Sequence, residues 1–170
     1  MNSVITKGNW QFFRKIPEKM YMGIDCSSKA VHAVLLNSSE DVVGQGKWSS
    51  INKEFNLRFL EIMRDFCKDL SNISYIEKAA VESAIFIQNP KSTIEIASVV
   101  AGVRLLCDQV GINCEPIDNR KWKKHILGKG NLGKPQIKEY TIKTWGDIFA
   151  EQDWCDAGCI ALWSRRNKDE

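Results

Sequence analysis

Long hydrophobic runs are missing from this 170-residue sequence. No stretch of 18 consecutive apolar residues occurs, whereas a membrane-spanning helix needs about 20. The first 19 residues, MNSVITKGNWQFFRKIPEK, also lack the apolar core of a secretory signal, because basic, aromatic and polar residues are mixed there. We therefore expect a cytoplasmic protein without membrane contact, with an amphipathic organelle transit peptide as the open alternative.

Metal-binding patterns of cysteine and histidine are also missing. The six cysteines lie mostly inside apolar runs, where a free thiol behaves as a small hydrophobic residue. Cys155 and Cys159 are four residues apart and could share a helix face, but no second Cys/His pair completes a zinc motif. A chain of this size without an export signal needs no disulfide framework. The sequence therefore predicts reduced thiols.

Acidic residues are absent from residues 119–138, which we call the basic segment. It holds seven of the 24 lysines and arginines, so the rest of the chain has more acidic than basic residues. These seven are Arg120, Lys121, Lys123, Lys124, Lys129, Lys134 and Lys138. A charge run is often only a solvated helix face, but this concentration of like charge repels itself unless an anion binds. Gly128, Gly130 and Gly133 would let backbone N–H groups approach phosphates.

Apolar periodicity predicts the architecture. Alternating or β-branched runs predict strands at residues 20–25, 30–36, 41–49, 78–83 and 112–117. Helices are expected at residues 54–70, 92–110, 120–127, 135–145 and about 153–165. The helix at 92–110 is indicated by Ile94, Ala97, Ala101 and Leu105, which are in helical register. The prediction is an α/β fold with a mixed five-stranded sheet flanked by helices, in one domain over residues 20–170 after an irregular arm at 1–19.

Four acidic residues stand where predicted strands end or where the last helix begins. Asp25 closes the first strand, and Glu82 closes the fourth. Asp153 and Asp156 are three residues apart, so they project from one face of the last helix. Two carboxylates 5 Å apart repel each other by roughly 3 kcal/mol at an effective dielectric constant of about 20. If the four acids converge, their charge must be neutralised.

Divalent cations would provide that neutralisation, because Mg²⁺ and Mn²⁺ take oxygen ligands. Two such ions about 4 Å apart also support phosphodiester hydrolysis. Each acid alone has a plainer interpretation: Asp25 and Glu82 as strand-end residues, and the helical pair as partners of the helix dipole. The combination favours a nuclease site. Its expected catalytic residues and ligands, holding two Mg²⁺ or Mn²⁺ ions, are Asp25, Glu82, Asp153 and Asp156.

The same residues resemble the motifs of the RuvC-type Holliday junction resolvases over residues 20–164. The Gly-Ile-Asp sequence ending at Asp25 is similar to the opening motif of that family, and the Val-Glu pair ending at Glu82 is similar to its second acidic strand. The Asp-Trp-Cys-Asp-Ala sequence starting at Asp153 resembles its closing helix. The basic segment aligns without gaps and puts Lys123 and Lys134 at the positions of the family's functional lysines. One departure is Cys-Ser after Asp25, where the family usually has Pro-Gly.

The resemblance implies a ribonuclease-H-like fold and a homodimer that binds branched DNA, above all four-way junctions, and makes two symmetric nicks. A bacterial or phage-encoded source is expected. The family opens the junction with an aromatic residue near the second acidic strand; Phe86 is the candidate, although the alignment puts Ile85 there. The residues expected to contact DNA are Arg120, Lys121, Lys123, Lys124, Lys129, Lys134 and Phe86.

Three other functions stay open on the sequence. A nuclease of the same fold could act on other branched DNA, RNA–DNA hybrids or structured RNA, because metal chemistry does not depend on the substrate's context. Sugar-kinase-like and actin-like ATPases also begin with Gly-Ile-Asp, but they need two such domains. A junction-binding protein that does not cut DNA would have little use for four clustered acids.

A few aromatic and histidine side chains complete the expectations. The N-terminal arm is interpreted as a DNA contact, a dimer contact or a disordered tail, on the basis of Trp10, Phe12, Phe13, Arg14 and Lys15. His32 is expected in the core, and Trp122 is the tryptophan considered for base stacking.

Overall fold

The computed structural model describes residues 4–73, 75–85 and 88–167. Its strands form one seven-stranded sheet of order β1-β2-β5-β4-β3-β6-β7. The strands are β1 Ile5–Lys7, β2 Trp10–Phe12, β3 Met20–Cys26, β4 Ala30–Leu36, β5 Val42–Ser49, β6 Ile76–Glu82 and β7 Cys114–Ile117. The helices are α1 Phe55–Leu70, α2 Pro90–Gln109, α3 Asn119–Leu127, α4 Lys134–Trp145 and α5 Gln152–Arg166. None of the described helices is both long and apolar enough to span a membrane.

The sheet is mixed, as the sequence predicted. β3, β4 and β5 form an antiparallel meander, and β6 and β7 add parallel to β3. Because parallel strands end at the same edge, the last residues of β3 and β6 lie side by side, with Ile24 opposite Val81. The α/β prediction is confirmed, and this edge carries the first two predicted acids.

Helices cover both faces of the sheet. One core layer contains buried residues of α1 and α2, and the other is formed largely by α5 with α3 and α4. Helix α5 lies directly on β3, because Gly23 has no side chain to separate them: a Cβ at this position would collide with the backbone of Ala157 and Ala161. This close approach holds the start of α5 over the end of β3.

The predicted count of five strands is wrong by two, because residues of the supposed irregular arm form β1 and β2. Strand β2 pairs antiparallel with β5, and Trp10 and Phe12 are buried in the core. The Trp10 ring packs edge-on against Trp48 at 4.8 Å between centroids. Gly46 of β5 makes room for these rings, since a Cβ there would collide with the Trp48 ring. The aromatic residues of this segment therefore extend the core.

Helix α2 forms where it was predicted, but the apolar residues that indicated it face solvent. Ile94 and Leu105 are 66% and 58% exposed, and Ala97 and Ala101 are exposed as well. The helix buries its opposite face, formed by Val99, Val100, Val103 and Cys107. Both faces are apolar, so periodicity alone did not distinguish them. We call Ile94, Ala97, Ala101 and Leu105 the α2 stripe.

Candidate active site

Three of the four predicted acids converge above the shared edge of β3 and β6. Asp25 is the next-to-last residue of β3, and Asp153 and Asp156 lie in the first turns of α5. Each of these three residues has a carboxylate oxygen within 4.8 Å of the others'. The strand end and the helix start, 128 positions apart in the chain for Asp25 and Asp153, therefore build one carboxylate cluster.

Glu82 lies beside this cluster and is held by α3. Both of its carboxylate oxygens accept hydrogen bonds: Oε1 from Asn119 Nδ2 at 3.1 Å and Oε2 from Trp122 Nε1 at 2.7 Å. Glu82 does not join the group of three within 4.8 Å, but its charge raises the pKa of both Asp25 and Asp156. It is therefore within electrostatic reach of the other acids.

Trp122 does not have the exposed ring that base stacking would need. Its side chain is fully buried, and its indole N–H donates to Glu82. A tryptophan in this position cannot stack on a nucleic-acid base without leaving the core. Its indole instead orients the Glu82 carboxylate. The sequence alone does not reveal this contact, because it depends on how α3 packs on the end of β6.

The cluster pays an electrostatic penalty for its negative charge. Burial raises the pKa of Asp25 well above its usual value, and the charges of Asp156, Glu82 and Asp153 raise it further. Burial also raises the pKa of Asp156 to about 6, with Glu82 and Asp153 contributing and a hydrogen bond from Gln152 opposing. Neither residue has a salt bridge among those of the described residues. Half-buried carboxylates that lack a salt-bridge partner fit a divalent cation.

His32 is buried, as expected for a core residue, yet both of its ring nitrogens face acids. Nε2 is 2.9 Å from Glu151 Oε2, and Nδ1 is 3.6 Å from Asp153 Oδ2. Lys47 Nζ donates to both oxygens of Glu151, at 2.8 and 2.9 Å. The hydrogen bonds from Lys47 and His32 lower the pKa of Glu151. Sequence reasoning missed this network, although the register of a meander places residue 32 opposite Asp25.

The basic segment forms α3, the following loop and the start of α4. Arg120, Lys121, Lys124, Lys129 and Lys134 are exposed, and Lys123 is half-buried. The positive charge of Lys134 lowers the pKa of Asp25, and that of Lys123 lowers the pKa of Asp156. No salt bridge within the described ranges involves this segment. Its positive charge therefore borders the acidic cluster without being neutralised by acidic partners.

The loop between β6 and α2 is described only in part. Phe86, the predicted wedge residue, lies outside the described residues. Ile85, the alternative that the alignment suggested, is 49% exposed and follows Glu82 by three positions. An apolar side chain is thus available to solvent next to the site.

Comparisons with known proteins identify the fold. The chain matches no protein-family model, and no curated protein sequence matches it. Among solved structures, Thermus thermophilus RuvC in complex with a Holliday junction substrate aligns with a TM-score of 0.73 and 16% identity, over 85% of this chain and 91% of that one. The structure of Thermus thermophilus RuvC aligns with a TM-score of 0.72 and 15% identity, over 84% and 91%. The chain therefore has the ribonuclease-H-like fold of the RuvC Holliday junction resolvases.

Proposed function

We propose that this protein is a divalent-metal-dependent DNA endonuclease that resolves four-way junctions by paired symmetric nicks. The observation that carries the proposal is the convergence of Asp25, Asp153 and Asp156 within 4.8 Å on a fold similar to RuvC. A cluster of half-buried carboxylates destabilises the protein unless cations neutralise it. Such a cluster is consistent with phosphodiester hydrolysis.

The four acids form one metal-ligand set in this proposal. Asp25, Asp153 and Asp156 hold Mg²⁺ or Mn²⁺, two ions per site, and Glu82 completes the ligand set. When bound, the ions supply an activated water and stabilise the leaving 3′ oxygen. The hydrogen bonds from Asn119 and Trp122 fix the direction in which Glu82 presents its oxygens. This orientation lowers the reorganisation needed when the substrate arrives.

The basic segment is the proposed surface for the DNA backbone. Lys123 and Lys134 contact the phosphates nearest the cut, because both are close enough to the acids to lower their pKa values. Arg120, Lys121, Lys124 and Lys129 bind more distant phosphates. A wedge at the junction's base steps comes from the loop after β6, with Phe86 as the first candidate and Ile85 as the second.

The α2 stripe is the proposed dimer interface. A stripe of exposed apolar residues along a helix marks an interaction surface when it is continuous, and these four residues repeat every three or four positions. One of the similar structures contains a Holliday junction, which has two-fold symmetry. Two identical sites related by an isologous interface match such a substrate.

A cleavage assay tests the proposal. Labelled four-way junctions incubated with Mg²⁺ or Mn²⁺ should acquire two nicks at symmetric positions, and Asp25→Asn should abolish both. Duplex, flap, RNA–DNA hybrid and structured RNA substrates of equal length serve as a panel. If one of these substrates were cut in preference to the junction, that substrate would take the place of the four-way junction in the proposal. Cutting by Asp25→Asn at the wild-type rate would refute the site.

A further inference from the structure

A second group of ligand atoms adjoins the carboxylate cluster, and Asp153 belongs to both. A ring nitrogen of His32 and carboxylate oxygens of Glu151 and Asp153 lie within 4.8 Å of one another. His32 is 2% exposed. It pairs with Asp25 across β3 and β4, so the two side chains point to the same face of the sheet. The imidazole is thus a buried neighbour of the cluster.

The hydrogen bond to Glu151 determines which ring nitrogen carries the proton. Glu151 accepts hydrogen bonds from Lys47 at both of its oxygens. An ionised carboxylate can only accept, so His32 Nε2, at 2.9 Å from Glu151 Oε2, must be the donor. In the neutral imidazole, Nδ1 then bears a free lone pair.

That lone pair faces an oxygen instead of a donor. Nδ1 is 3.6 Å from Asp153 Oδ2, which is too long for a hydrogen bond. The described residues give Nδ1 no hydrogen-bond donor. A lone pair and a carboxylate oxygen repel each other, and a cation between them would reverse the sign of the interaction. Two ligand atoms that are each about 2.1 Å from one ion lie about 3–4 Å apart.

We propose that His32 is a direct ligand, through Nδ1, of one of the divalent ions, which it shares with Asp153. Glu151 and Lys47 hold the imidazole in the ligating orientation, as a carboxylate does for the second N–H of most metal-binding histidines. The inference rests on the proposed nuclease function, and it adds which kind of metal ion one of the two positions prefers. A nitrogen ligand favours a transition metal such as Mn²⁺ over Mg²⁺.

Another arrangement of the same atoms gives a different result. A doubly protonated His32 would donate to Glu151 and Asp153 together and would only position Asp153. In that case no nitrogen would bind the ion. The two arrangements are distinguished by the isotropic nitrogen hyperfine coupling of bound Mn²⁺, because isotropic coupling requires a nitrogen that is bonded to the metal.

The chain offers a matched control, because it contains only two histidines. Untagged full-length protein with bound Mn²⁺ is measured by pulsed electron paramagnetic resonance, with ¹⁴N-histidine or ¹⁵N-histidine. We expect a coupling that changes with the isotope, persists in His125→Gln and is lost in His32→Gln. Bound Mn²⁺ without histidine coupling in the wild-type protein would overturn the proposal. That wild-type measurement does not depend on the folding of a variant at the buried position.

Metal affinity gives a second readout. His32→Gln should weaken Mn²⁺ binding by about 10-fold or more and weaken Mg²⁺ binding less, whereas His125→Gln should change neither. Equal losses for the two ions would contradict a nitrogen ligand. Junction cleavage is assayed in parallel. Cleavage without histidine coupling refutes only the role of His32, and histidine coupling without cleavage of any substrate refutes only the nuclease function.

Discussion

Asp156 shows at the scale of one residue how the site opposes stability. Its pKa is raised to about 6, first by burial and then by Glu82 and Asp153. An acid whose pKa is raised on folding destabilises the folded state once it ionises. The penalty is absent below about pH 4, grows between pH 4 and pH 6, and is complete above that range. The folded protein is therefore less stable at neutral pH than it would be without this ionised carboxylate, and a bound cation would remove that penalty.

Asp156→Asn should therefore stabilise the metal-free protein at pH 7. The raised pKa corresponds to a gain on the order of 2–3 kcal/mol, or a melting temperature about 4–12 °C higher for a chain of this size. The difference should vanish below about pH 4. Added Mg²⁺ or Mn²⁺ should stabilise the wild-type protein more than the variant.

Asp65→Asn is the control for that experiment, because Asp65 is exposed on α1. Its melting temperature should stay within about 1–2 °C of wild type. A melting temperature of Asp156→Asn that equals wild type at every pH would mean that Asp156 carries no such penalty. Thermal unfolding in metal-free buffers from about pH 3 to about pH 8 makes the comparison.

Trp122→Phe tests whether one indole N–H positions Glu82. The substitution removes the 2.7 Å hydrogen bond but keeps an aromatic ring in the core. We expect kcat for junction cleavage to fall by about 10–100-fold, as for other residues that orient metal ligands, with little change in junction binding. Trp163→Phe is the control, since Trp163 is equally buried but donates to no carboxylate within the described residues. A parallel loss of kcat in both variants would indicate a packing effect only.

At the scale of elements, α3 connects the proposed DNA surface to the candidate active site. One face of α3 holds Glu82 through Asn119 and Trp122, while its exposed side carries Arg120, Lys121 and Lys124. The N-cap of α3 is Asp118, whose side chain accepts from the backbone N–H of Arg120 and Lys121. The cap stabilises the first turn of α3, and the two hydrogen bonds to Glu82 tie that turn to the end of β6. Phosphates bound along α3 would therefore have a fixed position relative to Glu82.

Lys123→Ala with Lys134→Ala should flatten the salt dependence of junction binding. Each phosphate contact contributes about −0.9 to the slope of log affinity against log salt concentration. Losing two contacts should reduce the slope by about 1.8. Lys143→Ala is a suitable control, because Lys143 lies on α4 outside the basic segment and pairs with Glu139 at 2.9 Å. An unchanged slope in the double variant would remove these lysines from the DNA surface.

Local patterns predicted the helices and five of the strands closely, because burial on one or two faces determines their periodicity. They also indicated that Asp25 and Glu82 lie at or next to the ends of strands, as they do in β3 and β6. Which face of α2 is buried could not be predicted, because both faces are apolar. Only the contact with α1 determines which face lies in the core. The pairing of β2 with β5 and the His32–Glu151 network depend on contacts between distant segments, which a periodicity does not encode.

At the scale of the whole molecule, the exposed α2 stripe and the site lie on different parts of the chain. The stripe runs along α2, while the acids come from β3, β6 and α5. Pairing through α2 would therefore use none of the elements that carry the acids. Because the proposed reaction needs two nicks on one junction, the coupling between the two nicks should depend on dimer formation through α2.

Leu105→Glu should disrupt the dimer and uncouple the two nicks. A charge buried in an apolar isologous interface occurs twice by symmetry, and its desolvation opposes association. Light scattering should show a dimer for wild type and a monomer for the variant. On a junction extruded from a supercoiled plasmid, wild type should yield linear products from paired nicks, and the variant should accumulate nicked circles. Leu60→Glu is the control, since Leu60 is 61% exposed on α1; a monomeric wild type, or equal effects of the two substitutions, would rule out the α2 stripe as the interface.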